Sequence, residues 1–393
     1  MTVEVCALGG GVAVAGATVA RVYRGGTTLN DHAVAALVTG CVAIYPVLWL
    51  GARAAGVAGA ALGVAGVVFG VAAVSLYGLF HVLDARRDAG RLMPLARLSQ
   101  PAFAFSLWCG LLLLVRAPVA AWVGASIWWP GAWVALPAGL ALWGWAWTFL
   151  GHRERENVVI VPGLAAPVRV AHLSDLHASP TMRRVDLEAL VDRVNALAPD
   201  IVVVTGDLVM PFSEAEHGFL IDALARLRAP TFVCLGNHDL PVADTLAAEL
   251  AAVGVRVLVD AAAVVDAGGG VEIVGVNFHW RDARGRLLAA LDALPPRADA
   301  PARLLLAHDP RLFAWVPEGR FHLVLSGHTH GGQVGTDMFG VPWSVLRPLG
   351  VYDQGRFTRG ATSLWVHRGN WHTGLPPRMG IATEVVVHRL VPA

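Results

Sequence analysis

Five short clusters in this chain combine residue types that bind cations: Asp175-Leu176-His177, Gly206-Asp207, Gly236-Asn237-His238-Asp239, Ala307-His308-Asp309 and Gly327-His328-Thr329-His330. Singly, each has an ordinary structural reading. An Asp after a strand caps a helix, a Gly-Asp pair makes a turn, and a lone His is usually hydrogen-bonded. Five in succession, all of Asp, His and Asn chemistry, make that reading a large coincidence. In Asp175-x-His177 and His328-x-His330 the outer residues point the same way if the backbone is extended, so each pair can address one centre or two adjacent ones. Mixed imidazole and carboxylate donors suit Mn, Fe or Zn rather than Ca. A carboxylate shared by two cations about 3.5–4 Å apart would make a two-metal hydrolase.

The elements that must carry these clusters are legible in the hydropathy pattern. Strands are expected at residues 168–173, 201–205, 231–235, 255–259, 271–276, 303–307, 322–326, 363–367 and 383–390, and amphipathic helices at 185–198 and 219–227. Continuous β-branched runs alternating with helices imply strands buried on both faces of a layered α/β fold. Each cluster then falls just after a strand, where open α/β sheets hold their ligands. Gly268–Gly270 reads as a hairpin turn; no Gly-Lys-Ser/Thr follows, so it is not a phosphate loop. His172 is expected in the core. His279-Trp280 is read as a packed loop or a cleft wall, Arg378 as a phosphate contact or a structural ion pair, and His367 and His372 stay open.

At these residues the chain resembles the calcineurin-like metallophosphoesterases, above all the membrane-anchored bacterial phosphodiesterase-type members and their animal transmembrane counterparts. The resemblance runs over roughly residues 165–390, with the five motifs in family order. Gly-Asn-His-Asp and Gly-His-Thr-His-Gly-Gly-Gln are its most specific parts, and Arg368-Gly-Asn-Trp-His-Thr-Gly-Leu-Pro-Pro-Arg378 is similar to the subgroup's C-terminal signature. It implies a two-sheet α/β sandwich and two divalent cations (Mn, Fe or Zn). Asp175, His177 and His330 would hold the first, Asn237, His308 and His328 the second, and Asp207 both. His238 would stay off the cations and face the phosphate, with Asp239 orienting it. The implied reaction is in-line attack of a metal-bridging hydroxide on phosphorus, His238 stabilising or protonating the leaving oxygen.

Composition divides the chain in two. Residues 1–150 hold 8 Arg and 4 acidic residues, far too few charges for an ordinary soluble domain, whereas residues 151–393 hold 22 Arg and 25 acidic residues. Up to five apolar stretches (5–20, 33–50, 54–80, 101–123 and 131–150) approach the roughly 20 residues that a membrane span requires. Residues 1–150 are therefore expected to form a helical membrane domain of four or five spans, and residues 151–393 the catalytic domain. Nine of the 14 Trp lie in the first part, either as interfacial aromatic belts or as filling between helices, and its glycines permit close helix packing. Only Arg116 is an ionisable residue deep in a span, so an ion-coupled transporter is not expected. Arg86, Arg87, Arg91 and Arg97 crowd one short loop, which places that loop, and with it the catalytic domain, on the cytoplasmic side of the inner or plasma membrane.

A net charge of +1 with no basic stripe argues against nucleic-acid binding. All 30 basic residues are Arg, which excludes any Schiff-base or P-loop lysine, and the four Cys have neither metal-type nor disulfide-type spacing. The expected function is a membrane-anchored phosphoesterase acting on phosphodiester or pyrophosphate bonds, with a phosphate ester, lipid-linked in one form, as substrate and the bilayer as partner. The alternatives are a phosphodiesterase or phosphomonoesterase for soluble nucleotides and a non-catalytic membrane scaffold.

Overall fold

Runs of β-branched and aliphatic residues build two six-stranded sheets that face each other. The computed structural model describes residues 151–393 except 180–181, 211–213, 337–341 and 372–377, together with Gly139 and residues 142–144. In chain order the elements are β1 (His152–Val161), β2 (Val168–Leu173), α1 (Arg184–Ala196), β3 (Ile201–Thr205), α2 (Glu214–Leu224), β4 (Thr231–Cys234), α3 (Ala243–Ala252), β5 (Arg256–Val257), β6 (Ala261–Val265), β7 (Val271–Gly275), α4 (Ala283–Ala293), β8 (Ala302–Leu306), β9 (Leu323–Ser326), β10 (Gly335–Thr336), β11 (Trp343–Ser344), β12 (Gly355–Arg359), β13 (Thr362–Val366) and β14 (Thr383–Pro392).

The first sheet has the order β1-β14-β2-β3-β4-β5, and the second β12-β13-β9-β8-β7-β6. In the first, β2, β3, β4 and β5 run parallel, and β14 runs antiparallel to β2. In the second, β13, β9, β8 and β7 are parallel between two antiparallel edge strands. The period-2 side-chain alternation of strands sorts the apolar residues into three layers. Ile201 and Val203 join Leu304, Leu306 and Leu323 between the sheets. Val202 and Val204 face outward onto Leu187 and Val191 of α1 and Leu246 and Leu250 of α3. Leu305 and Val324 face the opposite way, onto Leu287 and Leu291 of α4 and Phe313. Strands buried on both faces explain the unbroken apolar runs.

The expected strands and helices are all present, with boundaries moved by a few residues. The largest shift is α2, which starts five residues before the expected 219. Gly268–Gly270 lies in the turn of the β6–β7 hairpin, where all three glycines have positive φ. Helices α3 and α4 and the edge strand β12 carry too many Ala, Gly or Arg to show a clean period. The expected membrane spans and His372 lie outside the described residues apart from a few helical positions of the fifth stretch. Among the described residues no helix is long and apolar enough to cross a membrane.

Candidate metal centre

The turns after β2, β3, β4, β8 and β9 meet at one end of the two sheets. Three groups of side chains have ligand atoms within 4.8 Å of one another: Asp175, His177 and His330; His177, Asp207 and His238; and Asp207, His308 and His328. Asp207 links them through a single oxygen. Its Oδ2 lies 3.6 Å from His177 Nε2 and 3.2 Å from His308 Nε2. His330 Nε2 is 3.2 Å from Asp175 Oδ1 and 3.0 Å from His177 Nε2. His308 Nε2 is 3.2 Å from His328 Nδ1. Asn237, half-buried at the end of β4, has an Oδ1 that is buried without a hydrogen-bond partner.

The backbone is bent to make this convergence. Asp175, His177, Asp207, His328 and His330 all have positive φ, between 44° and 71°. That conformation disfavours L side chains, and such strain concentrates at functional sites. Two glycines make room. A Cβ on Gly327 would collide with Ser174 Oγ and Asp175 Oδ2, and one on Gly236 would collide with the Asp207 carboxylate. The Gly of the Gly-His and Gly-Asn-His-Asp motifs is thus a steric requirement of the ligand cluster.

Hydrogen bonds from outside the cluster aim the ligands. Ser174 Oγ donates to Asp175 Oδ2 at 2.6 Å, and the His328 amide donates to Asp175 Oδ1 at 3.0 Å. His308 Nδ1 sits 2.6 Å from the Thr205 carbonyl, and the His238 amide donates to Asp207 Oδ1 at 2.9 Å. These supporting groups were not singled out in the sequence, although the Ser preceding Asp175 is the one visible cue.

Charge in the cluster is consistent with a cation site. Burial alone would raise the Asp207 carboxyl, but the neighbouring His308, with His238 and His177 beyond it, holds it far below the usual range. His308 moves the opposite way, to about 10, because the Asp207 and Asp175 charges outweigh its burial. A proton on His308 thus stands where positive charge is wanted. Asp175 is also held low despite burial, chiefly by His330. Burial lowers His177 and His328, the latter to about 4, leaving neutral imidazoles that can donate lone pairs. The Nδ1 atoms of His177 and His238 are buried without partners, as is Asn237 Oδ1. This donor set, two carboxylates, one amide oxygen and imidazoles around a shared oxygen, fits two divalent cations.

The structure brings together Asp175, His177, Asp207, His308, His328 and His330, places Asn237 in the turn after β4, and corrects one role. Asp239 does not orient the His238 ring. Its carboxylate accepts from the amides of Gly236 and Leu208, both at 2.8 Å, and of Val209 at 3.2 Å. It staples the β4 turn, and burial with the adjacent Asp207 charge raises it to about 7. His238 packs edge-on against His177 at 4.8 Å and is close enough to count among the potential ligands. His172 is buried as expected, bonded to Thr205 Oγ1 at 2.8 Å. Arg378 is fully buried behind His330, with Nη2 3.2 Å from His330 Nδ1. Phe278 lies 5.9 and 5.8 Å from the His308 and His328 rings, and Trp280 beyond it is 62% exposed.

A family model described as calcineurin-like phosphoesterase matches residues 168–332. The chain is 34% identical over 204 residues to the phosphodiesterase YaeI of Escherichia coli (strain K12), covering 49% of this chain and 71% of that protein. It is 30% identical over 233 residues to an uncharacterized metallophosphoesterase of Bacillus subtilis (strain 168), covering 56% of this chain and 78% of that protein. A transmembrane protein with metallophosphoesterase domain from Bos taurus is 30% identical over 242 residues, covering 56% of this chain and 52% of that protein.

Proposed function

The chain belongs to the calcineurin-like phosphoesterases, metal-dependent hydrolases of phosphate esters, and from that premise we propose that it cleaves phosphodiester or pyrophosphate bonds at the seam between its two sheets. One observation carries this reading: Asp207 Oδ2 faces both ligand clusters at 3.6 and 3.2 Å. Asp175, His177 and His330 would hold one cation, Asn237, His308 and His328 the other, and Asp207 both. When bound, two such cations supply charge to the phosphoryl oxygens and lower the pKa of water.

The chain's own groups do the rest. Burial holds His238 below its ordinary pKa, so a neutral imidazole faces the cluster, and positive charge bound nearby can only push it further the same way. A neutral ring acts as an N–H donor, and His238 would stabilise the departing oxygen by hydrogen bonding. The Asp207 carboxylate, anchored through Oδ1 by the His238 amide, keeps the β3 and β4 turns in register.

The substrate we favour is a phosphate ester with an apolar arm, such as a lipid-linked one at a bilayer. Three features support it. Residues 1–150 are almost devoid of charge. A shallow recess beside His308 has an apolar wall of Val276, Phe278 and Leu312, with His279 and Arg286 at its polar side. The exposed Trp280 stands edge-on to Phe278 at 4.9 Å. Residues 1–150 would anchor the chain in the inner or plasma membrane, and the Arg86–Arg97 loop favours a cytoplasmic active site. The complete donor set leaves a non-catalytic scaffold without support.

The test uses detergent-purified protein, stripped with chelator and reloaded with Mn, Fe, Zn or Mg. Hydrolysis of a chromogenic phosphodiester is followed beside the corresponding monoester, with Asp207→Ala in parallel. Metal-dependent diesterase activity lost in the variant is the expected result. Inactivity with every metal despite two bound cations would overturn the diesterase reading. Faster turnover of diesters in lipid vesicles than of soluble nucleotides would favour the lipid-linked substrate, and the reverse order would favour the soluble one.

A further inference from the structure

The family match ends at residue 332, yet two of the largest fully buried side chains are Arg368 and Arg378. Burying a guanidinium is costly unless its donors are used. Arg378 uses its Nε and Nη2 donors directly behind the candidate metal centre. Its Nε donates to the Trp371 carbonyl at 3.2 Å and its Nη2 donates to the same oxygen. His330 Nδ1 reaches that carbonyl too, at 3.3 Å, and lies 3.2 Å from Arg378 Nη2. A histidine that gives Nε2 to a cation carries its proton on Nδ1. The Trp371 carbonyl is then the acceptor for both groups, and the Arg378–His330 contact is two donors sharing one oxygen.

The surrounding segment is tied to the same half of the centre. The Trp371 amide donates to the Asp175 carbonyl at 3.1 Å, and the Asn370 amide to the Ser174 carbonyl at 2.8 Å. Asn370 Oδ1 accepts from the Ser174 amide at 2.9 Å. A Cβ on Gly369 would approach Arg378 Nη2 at 2.9 Å and His330 Nδ1 at 3.0 Å, so the segment is packed against the ligands with no slack. The other half is built differently. His308 Nδ1 is aimed by the Thr205 carbonyl at 2.6 Å, within β3, and no guanidinium takes part in that contact.

We propose that Arg378 is a positioning residue for the cation held by Asp175, His177 and His330: its fork fixes the Trp371 carbonyl, which holds His330 with the Nε2 lone pair turned toward Asp175 and His177. The proposal rests on the two-cation reading of the centre. Arg378 suits the role because a planar fork makes two bonds to one oxygen, where a lysine offers a single rotatable charge. The sign of the effect separates positioning from plain electrostatics. Removing a positive charge beside a cation site should by itself tighten cation binding, whereas loss of positioning should weaken it by about 10–100-fold, as for other groups that orient metal ligands.

Cation binding is measured by calorimetry on the full detergent-purified chain with Mn and Zn. The wild type should bind two cations. Arg378→Met should weaken one of them about 10–100-fold and leave the other unchanged, with Arg378→Lys intermediate. In a His328→Ala background Arg378→Met should still weaken binding, whereas in a His330→Ala background it should have no further effect. Unchanged or tightened binding in Arg378→Met overturns the proposal, as does an equal loss in both backgrounds. Failure of the wild type to bind two cations would instead overturn the underlying two-cation reading. If Arg378→Met does not fold, Arg378→Lys carries the same comparison, because it keeps the buried charge and loses the fork.

Discussion

The two sheets bring different chemistry to the seam between them. The first supplies both carboxylates and the amide: Asp175 and His177 after β2, Asp207 after β3, Asn237 and His238 after β4. The second supplies imidazole alone: His308 after β8, His328 and His330 after β9. In the proposed assignment neither sheet holds the ligands of either cation by itself. Each cation would be completed across the sandwich, so metal loading and sheet association are one equilibrium. The acidic sheet sets the charge of the centre, and the imidazole sheet supplies ring nitrogens that must be turned toward it. That division says where each kind of damage should appear.

Asp207→Ala removes the carboxylate oxygen that faces both clusters and should have the largest effect. Diesterase activity should fall below detection, and bound cations should drop below two per chain by elemental analysis. Two retained cations with measurable turnover would mean that the sheets form independent sites. His238→Gln comes next. It removes a group on the acidic sheet that carries out no proposed metal binding, so kcat should fall about 10²–10⁴-fold at unchanged metal content. A loss of metal in that variant would make His238 a ligand, a role its distance from His177 and Asp207 allows.

Chelation tests the coupling itself. A cation at a thousand times its Kd stabilises the folded state by about 4 kcal/mol. For a domain of this size that is a rise in Tm of roughly 8–16 °C. Thermal melts with and without EDTA should show it, and His330→Ala and Asp175→Ala, from opposite sheets, should reduce it alike. If only the acidic-sheet variant reduces it, the cations are held by one sheet and the comparison breaks.

The sequence exposed the parts of this site that follow a strand and contain chemistry. Asp175, His177, Asp207, Asn237, His308, His328 and His330 were all identifiable because a buried strand marks its own end and the residues after it stand out. What was not legible depends on groups that meet only in three dimensions. The family resemblance implies that Asp239 aims His238, but its carboxylate is consumed by three amides of the β3 and β4 turns. The Thr205 and Trp371 carbonyls that aim His308 and His330 belong to the backbone and leave no trace in residue identity. Arg378 reads as either a phosphate contact or an ion pair, because burial of an arginine cannot be inferred from spacing. Helix α4 was missed for a simpler reason: its Arg and Gly content dilutes the apolar period.

The smallest effect lies deeper between the sheets, where histidines are structural. The Asn157 side-chain amide donates to His388 Nδ1 at 3.0 Å, His388 Nε2 faces His172 Nδ1 at 3.3 Å, and His172 Nε2 faces Thr205 Oγ1 at 2.8 Å. Read from Asn157 onward, each ring accepts on one nitrogen and donates from the other, so both are neutral and a further proton has no acceptor. Burial, followed by the nearby His367, depresses His388 to about 3. The unfolded chain takes up this proton below about pH 6.5 while the folded chain refuses it down to about 3, so stability is full above 6.5 and is lost as pH falls through that window. One such group contributes a slope of at most about 1.4 kcal/mol per pH unit, or roughly 3–6 °C in Tm per pH unit. His388→Gln, which cannot titrate, should be less stable than wild type at pH 7.5 yet lose stability more slowly between pH 6.5 and 5.5. Melts at the three pH values measure the slopes. Parallel slopes would show that the buried imidazoles take up protons in the folded state, and that the neutral character of this seam ends at the metal centre.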